Sequence, residues 1–280
     1  MGLKSYLKRG IRYIVKGIPE KYITVTIQTT EPNRMLQGKN IIITGGGRGL
    51  GYYIAKRSIQ EGANVLITGR NEEVLKKAVT ELGNHVQYLV FDVMNINKLE
   101  TFIHSASEIF GGKKIHSLVS NAGISLHEGN FRNVTEEGWD KQMDTNLKGN
   151  YFLVGQFVQY LEKQENTSGS IVVITSERAK RSDDIPYGLT KAATSSFIQC
   201  MASKVIEKGI RINGVGPGVT ASDMTGFDRN GNMYAEFQAG KRIFIPEEVA
   251  EVVNFLLSDV SNCISGEIIT CNQGRHISHW

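Results

Sequence analysis

The stretch that decides the fold is Thr44-Gly-Gly-Gly-Arg-Gly-Leu-Gly51, which follows the apolar run Asn40-Ile-Ile-Ile-Thr44. The apolar run is typical of a buried strand, and residues 50–61 have the pattern of a helix. A glycine-rich turn between a strand and a helix presents the free N–H groups of the helix N-terminus to a pyrophosphate. The stretch therefore predicts a dinucleotide site, and its expected binding residues are Gly45, Gly47, Arg48, Gly49, Leu50 and Gly51.

Outward from this stretch, short apolar runs alternate with helical patterns. Six further strands are expected, at 64–68, 86–91, 115–120, 170–175, 210–215 and 267–270. Helices are expected between them at 72–82, 97–110, 136–164, 186–208 and 246–258. Strands that alternate with helices form a parallel sheet covered on both faces, with right-handed crossovers. We therefore predict an α/β fold over residues 39–274, a single-domain Rossmann-like doubly wound sheet of about seven strands with helices on both faces.

The bulk composition is that of an ordinary globular protein. The chain has 280 residues, of which 40% are hydrophobic and 21% charged. Its 3 cysteines form no CxxC pair, so we expect a reducing compartment, no disulfide framework and no metal site. The sequence has no apolar run of about 18 residues and no secretion signal, so a cytoplasmic protein is expected.

Residues 1–38 form a basic extension before this domain. Residues 1–39 carry eight Lys and Arg against two Glu, a net +6, so a total of +4 leaves −2 for residues 40–280. The domain itself is therefore not expected to bind nucleic acid. Residues 3–16 predict an amphipathic helix and residues 22–29 an extra strand. Two interpretations stay open: the segment 1–18 lies on an anionic membrane surface, or the helix packs on a partner subunit.

The end of the second strand indicates which cofactor is used. An acidic residue there would hold a ribose 2′-hydroxyl, but the segment Ile67-Thr-Gly-Arg-Asn71 contains none. It offers Arg70 instead, and Arg48 lies within the glycine loop. Two guanidinium groups suit a 2′-phosphate. We therefore predict NADP(H) as the cofactor in preference to NAD(H).

Together, the motifs along the chain resemble the short-chain dehydrogenase/reductase family, over about residues 38–274. The resemblance is closest to its NADP-preferring members similar to 3-oxoacyl-carrier-protein reductases. It implies that Asp92 contacts the adenine and that Val93 beside it belongs to the cofactor site, that Asn121, Ala122 and Gly123 line the cofactor cleft, and that Pro217, Gly218, Val219 and Thr220 hold the nicotinamide. It implies a homodimer or homotetramer as well. The family's catalytic positions fall on Asn146, Ser176, Tyr187 and Lys191.

The chemistry of the Tyr187/Lys191 pair can also be argued from the residues. Hydride transfer to a carbonyl leaves an oxygen that needs a proton, and a Tyr hydroxyl can supply it. The pKa of a free Tyr is about 10, and a nearby ammonium lowers it. Tyr187 and Lys191 are four residues apart on a predicted helix and share a face. We expect Lys191 to lower the Tyr187 pKa and hold the ribose, and Ser176 to orient the substrate oxygen. By the resemblance, Asn146 supports Lys191.

Three departures from the family pattern bear on these expectations. The segment from Ser176 to Tyr187 is short and strongly charged, which leaves Thr175 open as an alternative to Ser176. Ser120 stands where the family often has a second Asn. Asn272-Gln-Gly274 stands where many relatives have Asp-Gly-Gly, and the tail 275–280 follows it, with His276 and His279 expected on the surface rather than on a metal.

Two hypotheses from different classes follow. The first is an oxidoreductase acting on a small-molecule carbonyl or alcohol, with a substrate lid at 221–244. Its substrate could be a 3-oxoacyl carrier, a polyketide or a sugar derivative of a polysaccharide pathway, and the sequence does not separate these. The second is a non-catalytic NADP(H)-binding scaffold or sensor, which the compressed loop between Ser176 and Tyr187 would favour.

Overall fold

The computed structural model describes residues 34–228 and 230–277. The predicted N-terminal helix and strand, and His279, lie outside these residues. Seven strands form one parallel sheet. In chain order they are β1 (Asn40–Thr44), β2 (Asn64–Gly69), β3 (Val86–Val90), β4 (Ser117–Ser120), β5 (Gly169–Ile174), β6 (Ile210–Pro217) and β7 (Ile268–Cys271). The predicted fold class and its seven strands are confirmed.

The helices lie between the strands. They are α1 (Gly49–Gln60), α2 (Glu72–Leu82), α3 (Leu99–Ile109), α4 (Glu136–Gln142), α5 (Asn150–Glu162), α6 (Pro186–Val205) and α7 (Pro246–Leu257). Local chemistry fixes several helix starts. Asn71 caps α2 by accepting a hydrogen bond from the Val74 amide at 3.1 Å, and Pro186 and Pro246 begin α6 and α7. Within the described residues, no helix is both long and apolar enough to cross a bilayer.

The strand order places the site. The order is β3-β2-β1-β4-β5-β6-β7, so the chain starts in the middle of the sheet, runs to one edge and then returns to the other side of β1. Strands β1 and β4 are therefore neighbours whose following loops turn in opposite directions. In doubly wound sheets, ligands bind in the crevice at this point, beyond the carboxyl ends of the strands. The glycine loop follows β1, and Asn121 follows β4.

The core lies on both faces of the sheet. Alternate residues of one strand serve different faces, as Ile42 packs into one cluster and Ile41 and Ile43 into the other. The first cluster includes Phe157 of α5, and the second includes Leu256 of α7. Because all five residues of β1 are buried, the strand that ends at the glycine loop is held rigidly between these layers.

The predicted long helix at 136–164 is wrong in one respect. A π-helical segment, Met143–Gly149, separates α4 from α5. Asn150 stabilises this segment by donating from its side-chain amide to the carbonyls of Asn146 at 2.9 Å and Thr145 at 3.2 Å. Apolar periodicity does not reveal such an interruption, because one extra residue in a turn shifts the pattern only slightly. π-segments are frequent at functional sites, and this one contains Asn146.

Candidate active site

The glycine loop adopts a backbone that other residues would resist. Gly45 has φ +65° and Gly49 has φ +54°, both in the left-handed region. A Cβ on Gly51 would lie 2.3 Å from the Gly45 carbonyl oxygen, so the first turn of α1 packs directly on the loop. The first turn of α1 has no acidic residue, and Arg48 makes no side-chain capping bond. The N–H groups at this helix end are therefore available to an anion, and the cradle fits a pyrophosphate.

A polar cross-link holds the loop against β4. The Thr44 hydroxyl accepts hydrogen bonds from the amides of Asn121 and Ala122, both at 3.0 Å. The Asn121 side chain donates to the carbonyls of Thr44 at 2.8 Å and Gly45 at 3.3 Å. The predicted Asn121-Ala122-Gly123 segment thus lies beside the glycine loop at the switch point. Thr44, which the sequence reasoning took only as a strand end, joins the two strands there.

The two arginines expected at the 2′ position are both well exposed. The Arg48 guanidinium lies 3.8 Å from the Asp223 carboxylate, and both side chains are 74% exposed. The Arg70 guanidinium lies 4.0 Å from Asp92. Arg70, Asp92 and Met94 line a surface pocket with residues of α4 and the π-segment. Exposed pairs at these distances contribute little, so both guanidinium groups are free to turn toward an anionic ligand.

Three other predicted cofactor residues pack against the protein interior. Val93 is 4% exposed and its side chain belongs to the core. Leu50 packs against the second core cluster. A Cβ on Gly47 would lie 3.0 Å from Val74, so this glycine permits the close approach of α2. Val93 and Gly47 can therefore reach a ligand only through their backbone, whereas Leu50 is half-buried.

The segment after β6 is bound to the end of the neighbouring strand, β7. The Gly218 amide donates to the Cys271 carbonyl at 2.9 Å, and a Cβ on Gly218 would lie 3.0 Å from both Asn272 and Phe244. The Thr220 hydroxyl donates to the Gly218 carbonyl at 3.0 Å. Pro217 to Thr220 therefore form a rigid edge of the crevice, and Val219 packs against a small apolar cluster under the predicted lid.

Asn146 and Lys191 meet across Gly123. The Asn146 side chain accepts from the Ile124 amide and donates to the Ile124 carbonyl, both at 2.8 Å. A Cβ on Gly123 would lie 3.2 Å from Asn146 Oδ1 and 3.6 Å from Lys191 Nζ. Lys191 is 4% exposed and donates to the Ile174 carbonyl at 2.9 Å. The π-segment, β5 and α6 thus bring these two predicted catalytic side chains together.

Ser176 lies close to Tyr187, since its hydroxyl acts on Tyr187 and lowers the pKa of that residue. Ser176 Oγ also accepts from the Arg178 amide at 3.2 Å, at the start of a short 3₁₀ turn, Glu177–Lys180. The Thr175 hydroxyl instead donates to the Val215 carbonyl of β6 at 3.3 Å. The geometry therefore favours Ser176 over Thr175 as the serine of the site.

An internal ion pair closes the short loop between Ser176 and Tyr187. Arg178 donates through Nε and Nη2 to the two oxygens of Asp183, the Nη2 contact at 2.6 Å. The Asp183 side chain is only 3% exposed, whereas Arg178 is 31% exposed. A Cβ on Gly188 would lie 2.0 Å from the Asp183 carboxylate, so Asp183 packs against the backbone beside Tyr187. The charged residues that made this loop look unusual are the ones that shape it.

The site perturbs both of its titratable groups. Burial raises the pKa of Tyr187, and the Ser176 hydroxyl and the charge of Arg178 oppose this rise. The net shift is upward, whereas a lowered pKa was expected. Lys191 is itself desolvated, and burial lowers its pKa to about 8. Its ammonium lies 5.7 Å from the Tyr187 ring centroid.

The predicted lid forms a small folded flap. The Ala221 amide donates to the Phe244 carbonyl at 2.8 Å, and Tyr234 pairs with Arg242. Ala221, Ala235 and Ile243 make a satellite apolar cluster. Several large apolar side chains of this segment are exposed: Met224, Phe227, Tyr234 and Phe237.

Among the described residues, no group of three or more His, Cys, Asp and Glu is placed to hold a metal ion.

Two contacts in the site were missed by the sequence reasoning. Ser120 was noted only as a departure from the family pattern, yet its hydroxyl donates to Asn150 at 2.5 Å. Asn150 in turn donates to the Ala122 carbonyl at 3.1 Å. A polar residue facing the core at a strand end was the available signal, because such a group needs a partner.

With this geometry in view, comparison with known proteins identifies the family. A family model described as enoyl-(acyl carrier protein) reductase matches residues 45–276. The chain therefore belongs to the short-chain dehydrogenase/reductase family. It is an oxidoreductase of the carbonyl/alcohol class with a nicotinamide cofactor, as the sequence predicted.

Individual relatives agree with this assignment. The chain is 32% identical to a 3-oxoacyl-[acyl-carrier-protein] reductase FabG of Chlamydia muridarum, covering 86% of this chain and 99% of that one. It is 31% identical to dehydrogenase/reductase SDR family member 4 of Bos taurus, over 87% and 89% of the two chains. A crystal structure of 3-ketoacyl-(acyl-carrier-protein) reductase from Brucella melitensis, complexed with NADH, aligns with a TM-score of 0.77 at 25% identity, over 86% and 100% of the chains.

Proposed function

We propose that the protein is an NADP(H)-dependent carbonyl reductase in which Tyr187, Ser176, Lys191 and Asn146 form the catalytic group. The observation that carries this proposal is the arrangement of these side chains at the carboxyl edge of the sheet, where the Lys191 ammonium lies 5.7 Å from the centroid of the Tyr187 ring and meets Asn146 across Gly123. Ser176 lies beside Tyr187 despite the short loop, so the feature that favoured a non-catalytic scaffold no longer supports one.

In this mechanism the protein positions the substrate and donates a proton to it. NADPH, when bound, supplies hydride to the carbonyl carbon. Ser176 donates a hydrogen bond to the carbonyl oxygen as negative charge develops there. Tyr187 transfers its hydroxyl proton to the same oxygen, which leaves a phenolate and an alcohol. Because the pKa of Tyr187 is raised, its hydroxyl is protonated at neutral pH, and this suits the reduction direction.

The proton transfer from Tyr187 is supported by Lys191 and Asn146, which meet across Gly123. The Lys191 ammonium sits close enough to the Tyr187 ring to stabilise the phenolate once it forms, since two opposite charges in a buried site attract strongly. Asn146 fixes the Ile124 backbone and with it the wall beside Lys191. Lys191 would also hold the ribose hydroxyls of the cofactor, which fits a buried ammonium next to the crevice.

The preference for NADP(H) over NAD(H) rests on Arg48 and Arg70. Neither guanidinium is engaged in a close ion pair, and Gly69 and Arg70 stand where a carboxylate would repel a phosphate. The pyrophosphate would lie on the N-terminus of α1, within reach of the loop of Gly45 to Gly51. Asp92 would contact the adenine.

The substrate class that the site favours is a 3-oxoacyl group on a carrier. The relatives named FabG are 3-oxoacyl-[acyl-carrier-protein] reductases by name. The exposed apolar side chains of the lid, Met224, Phe227 and Phe237, give an acyl chain a surface to pack on. A strongly polar sugar would gain little from such a surface.

A second copy of the chain is the proposed protein partner. Tyr151, Phe152 and Leu189 are large apolar side chains on α5 and α6, and each is more than a third exposed. Tyr151 stacks edge-on against both Phe152 and Phe197, which makes a continuous aromatic surface. An isologous pairing of these two helices would bury it.

The test is NADPH oxidation measured with a panel of carbonyl substrates that includes a 3-oxoacyl thioester. We expect turnover that Tyr187→Phe abolishes while leaving NADPH affinity within about twofold, because the phenyl ring keeps the packing and loses only the proton. Tight NADPH binding without turnover of any carbonyl or alcohol would contradict the proposal. Equal loss of binding and turnover in the variant would refute the role of Tyr187.

A further inference from the structure

A buried carboxylate lies directly beside the catalytic serine. The side chain of Glu177, the residue after Ser176, is 7% exposed. One of its oxygens accepts from Arg275 Nη1 at 2.6 Å and the other accepts from Asn272 Nδ2 at 3.0 Å. Both donors belong to the C-terminal segment that follows β7. The proposed reaction gives Glu177 no step of its own, so these contacts need another explanation.

The same C-terminal segment touches the lid. The Arg275 guanidinium carbon lies 5.3 Å from the centroid of the Phe237 ring, a cation–π distance. Gln273 adopts φ +52°, and a Cβ on Gly240 would lie 1.5 Å from its side-chain oxygen. Residues 272–275 therefore contact the lid on one side and the residue next to Ser176 on the other.

The buried position makes the Glu177 contacts demanding. A carboxylate removed from water is tolerated only when it is paired and hydrogen-bonded. Glu177 also opens the 3₁₀ turn whose Arg178 amide donates to Ser176 Oγ, so any movement of Glu177 to find new partners moves Ser176. A displacement of about 1 Å at a reacting group can cost about 100-fold in rate.

We propose that Glu177 and Arg275 are positioning residues, and that Arg275 couples the lid at Phe237 to the orientation of Ser176 through the Glu177 carboxylate. Closure of the lid over a substrate would hold Arg275 in place, and Arg275 would hold the serine turn. The inference rests on the proposed reductase activity where it is tested by enzyme kinetics. Its second test, by amide hydrogen exchange, needs only the folded protein.

The kinetic test compares Glu177→Gln, Arg275→Gln and the double variant with the wild-type protein. We expect kcat to fall about 10-fold or more in each single variant while the NADPH Kd stays within about twofold. The double variant should be no worse than the poorer single variant, because the two side chains act as one unit. Arg275→Lys should recover part of the loss. Glu162→Gln, which breaks the remote pair with Lys208, is the control and should leave kcat unchanged.

The exchange test measures amide hydrogen exchange of the lid peptides in the protein without substrate. Among the described residues Glu177 makes hydrogen bonds with Asn272 and Arg275 and none with the lid, so faster exchange at 221–244 in Glu177→Gln reports coupling through Arg275. We expect an increase of about 10-fold in that variant and in Arg275→Gln, and none in Glu162→Gln. This readout does not require turnover, so failure to find a substrate would leave it intact.

Three results would overturn the inference. Multiplicative effects of the two substitutions on kcat would show that the side chains act separately. Wild-type lid exchange in Glu177→Gln would show that no coupling exists. If Glu177→Gln does not fold, Arg275→Lys provides the test instead. Wild-type kcat together with faster lid exchange in that variant would show that motion of the lid does not affect Ser176.

Discussion

The ion pair within the loop from Ser176 to Tyr187 gives a prediction with opposite signs for its two partners. Arg178 lowers the pKa of Tyr187 through its charge, and Asp183 raises it. Replacing Arg178 by Gln should therefore raise the Tyr187 pKa further, and replacing Asp183 by Asn should lower it. Gln and Asn keep much of the shape, so that the change is mainly one of charge.

These shifts in the Tyr187 pKa can be measured from the pH dependence of the rate of alcohol oxidation. In that direction Tyr187 must accept a proton, so the rate rises as pH passes upward through the Tyr187 pKa. Arg178→Gln should move this limb to higher pH and Asp183→Asn to lower pH. The other charged group that acts on Tyr187 in this turn, Glu177, is unchanged in both variants.

The stability effects are expected to be unequal. Removing Arg178 leaves the buried Asp183 carboxylate with the Ile185 amide at 3.3 Å as a remaining donor. Losing one partner of a buried pair costs about 3–5 kcal/mol, and the 31% exposure of Arg178 reduces this to about 2 kcal/mol. That loss corresponds to a Tm lower by about 4–8 °C. Asp183→Asn leaves an arginine that can reach water, so about 1 kcal/mol is expected.

Thermal unfolding of both variants, with Lys76→Gln on the surface of α2 as control, completes the assay. Lys76 is 49% exposed, so its pairing with Glu72 should contribute little to stability. The reasoning is refuted if both loop variants shift the pH limb in the same direction, since a loss of shape alone would do that. It is also refuted if Asp183→Asn is the more destabilising of the two.

Three further predictions concern the cofactor and the core. Gly51→Ala should weaken NADPH binding about 10-fold or more in a fluorescence titration, because its Cβ would lie 2.3 Å from a backbone oxygen of the loop; unchanged affinity would contradict the cradle. Arg70→Gln should raise the KM for NADPH about 10-fold and leave that for NADH nearly unchanged, and an equal change in both would exclude a phosphate contact. Phe157→Ala should cost about 3–5 kcal/mol in urea unfolding because Phe157 is fully buried, whereas Val260→Ala, 40% exposed, should cost little; similar losses would argue against this core assignment.

The fold was predictable because each of its elements has a local signal. The buried parallel strands are apolar runs such as Asn40–Thr44, and the helices between them are long enough for periodicity to show. The glycine loop combined three signals, a strand, a glycine cluster and a helix start. The N-terminal extension had clear periodicity as well, and its two interpretations stay predictions because it lies outside the described residues.

The parts that sequence reasoning missed depend on contacts between distant segments. The π-segment around Asn146 is held by Asn150, and Asn150 is held by Ser120 from another strand. Nothing local to 143–149 encodes this. The direction of the Tyr187 pKa was missed for a similar reason, because burial is a property of the assembled site and outweighs the charges near the hydroxyl.

The short loop between Ser176 and Tyr187 shows how a departure from a family pattern can be compensated in the same place. A shorter connection leaves less chain to bridge the end of β5 and the start of α6, so it needs contacts that fix its ends. Arg178 with Asp183 closes the loop from inside, and Glu177 with Arg275 ties it to the C-terminal segment. Charges in such a loop would disturb a neighbouring hydroxyl if they were unpaired. Glu177, Arg178 and Asp183 each lie within 3 Å of an opposite charge, so the loop gains its shape, while the charge of Arg178 lowers the Tyr187 pKa and the charges of Asp183 and Glu177 raise it.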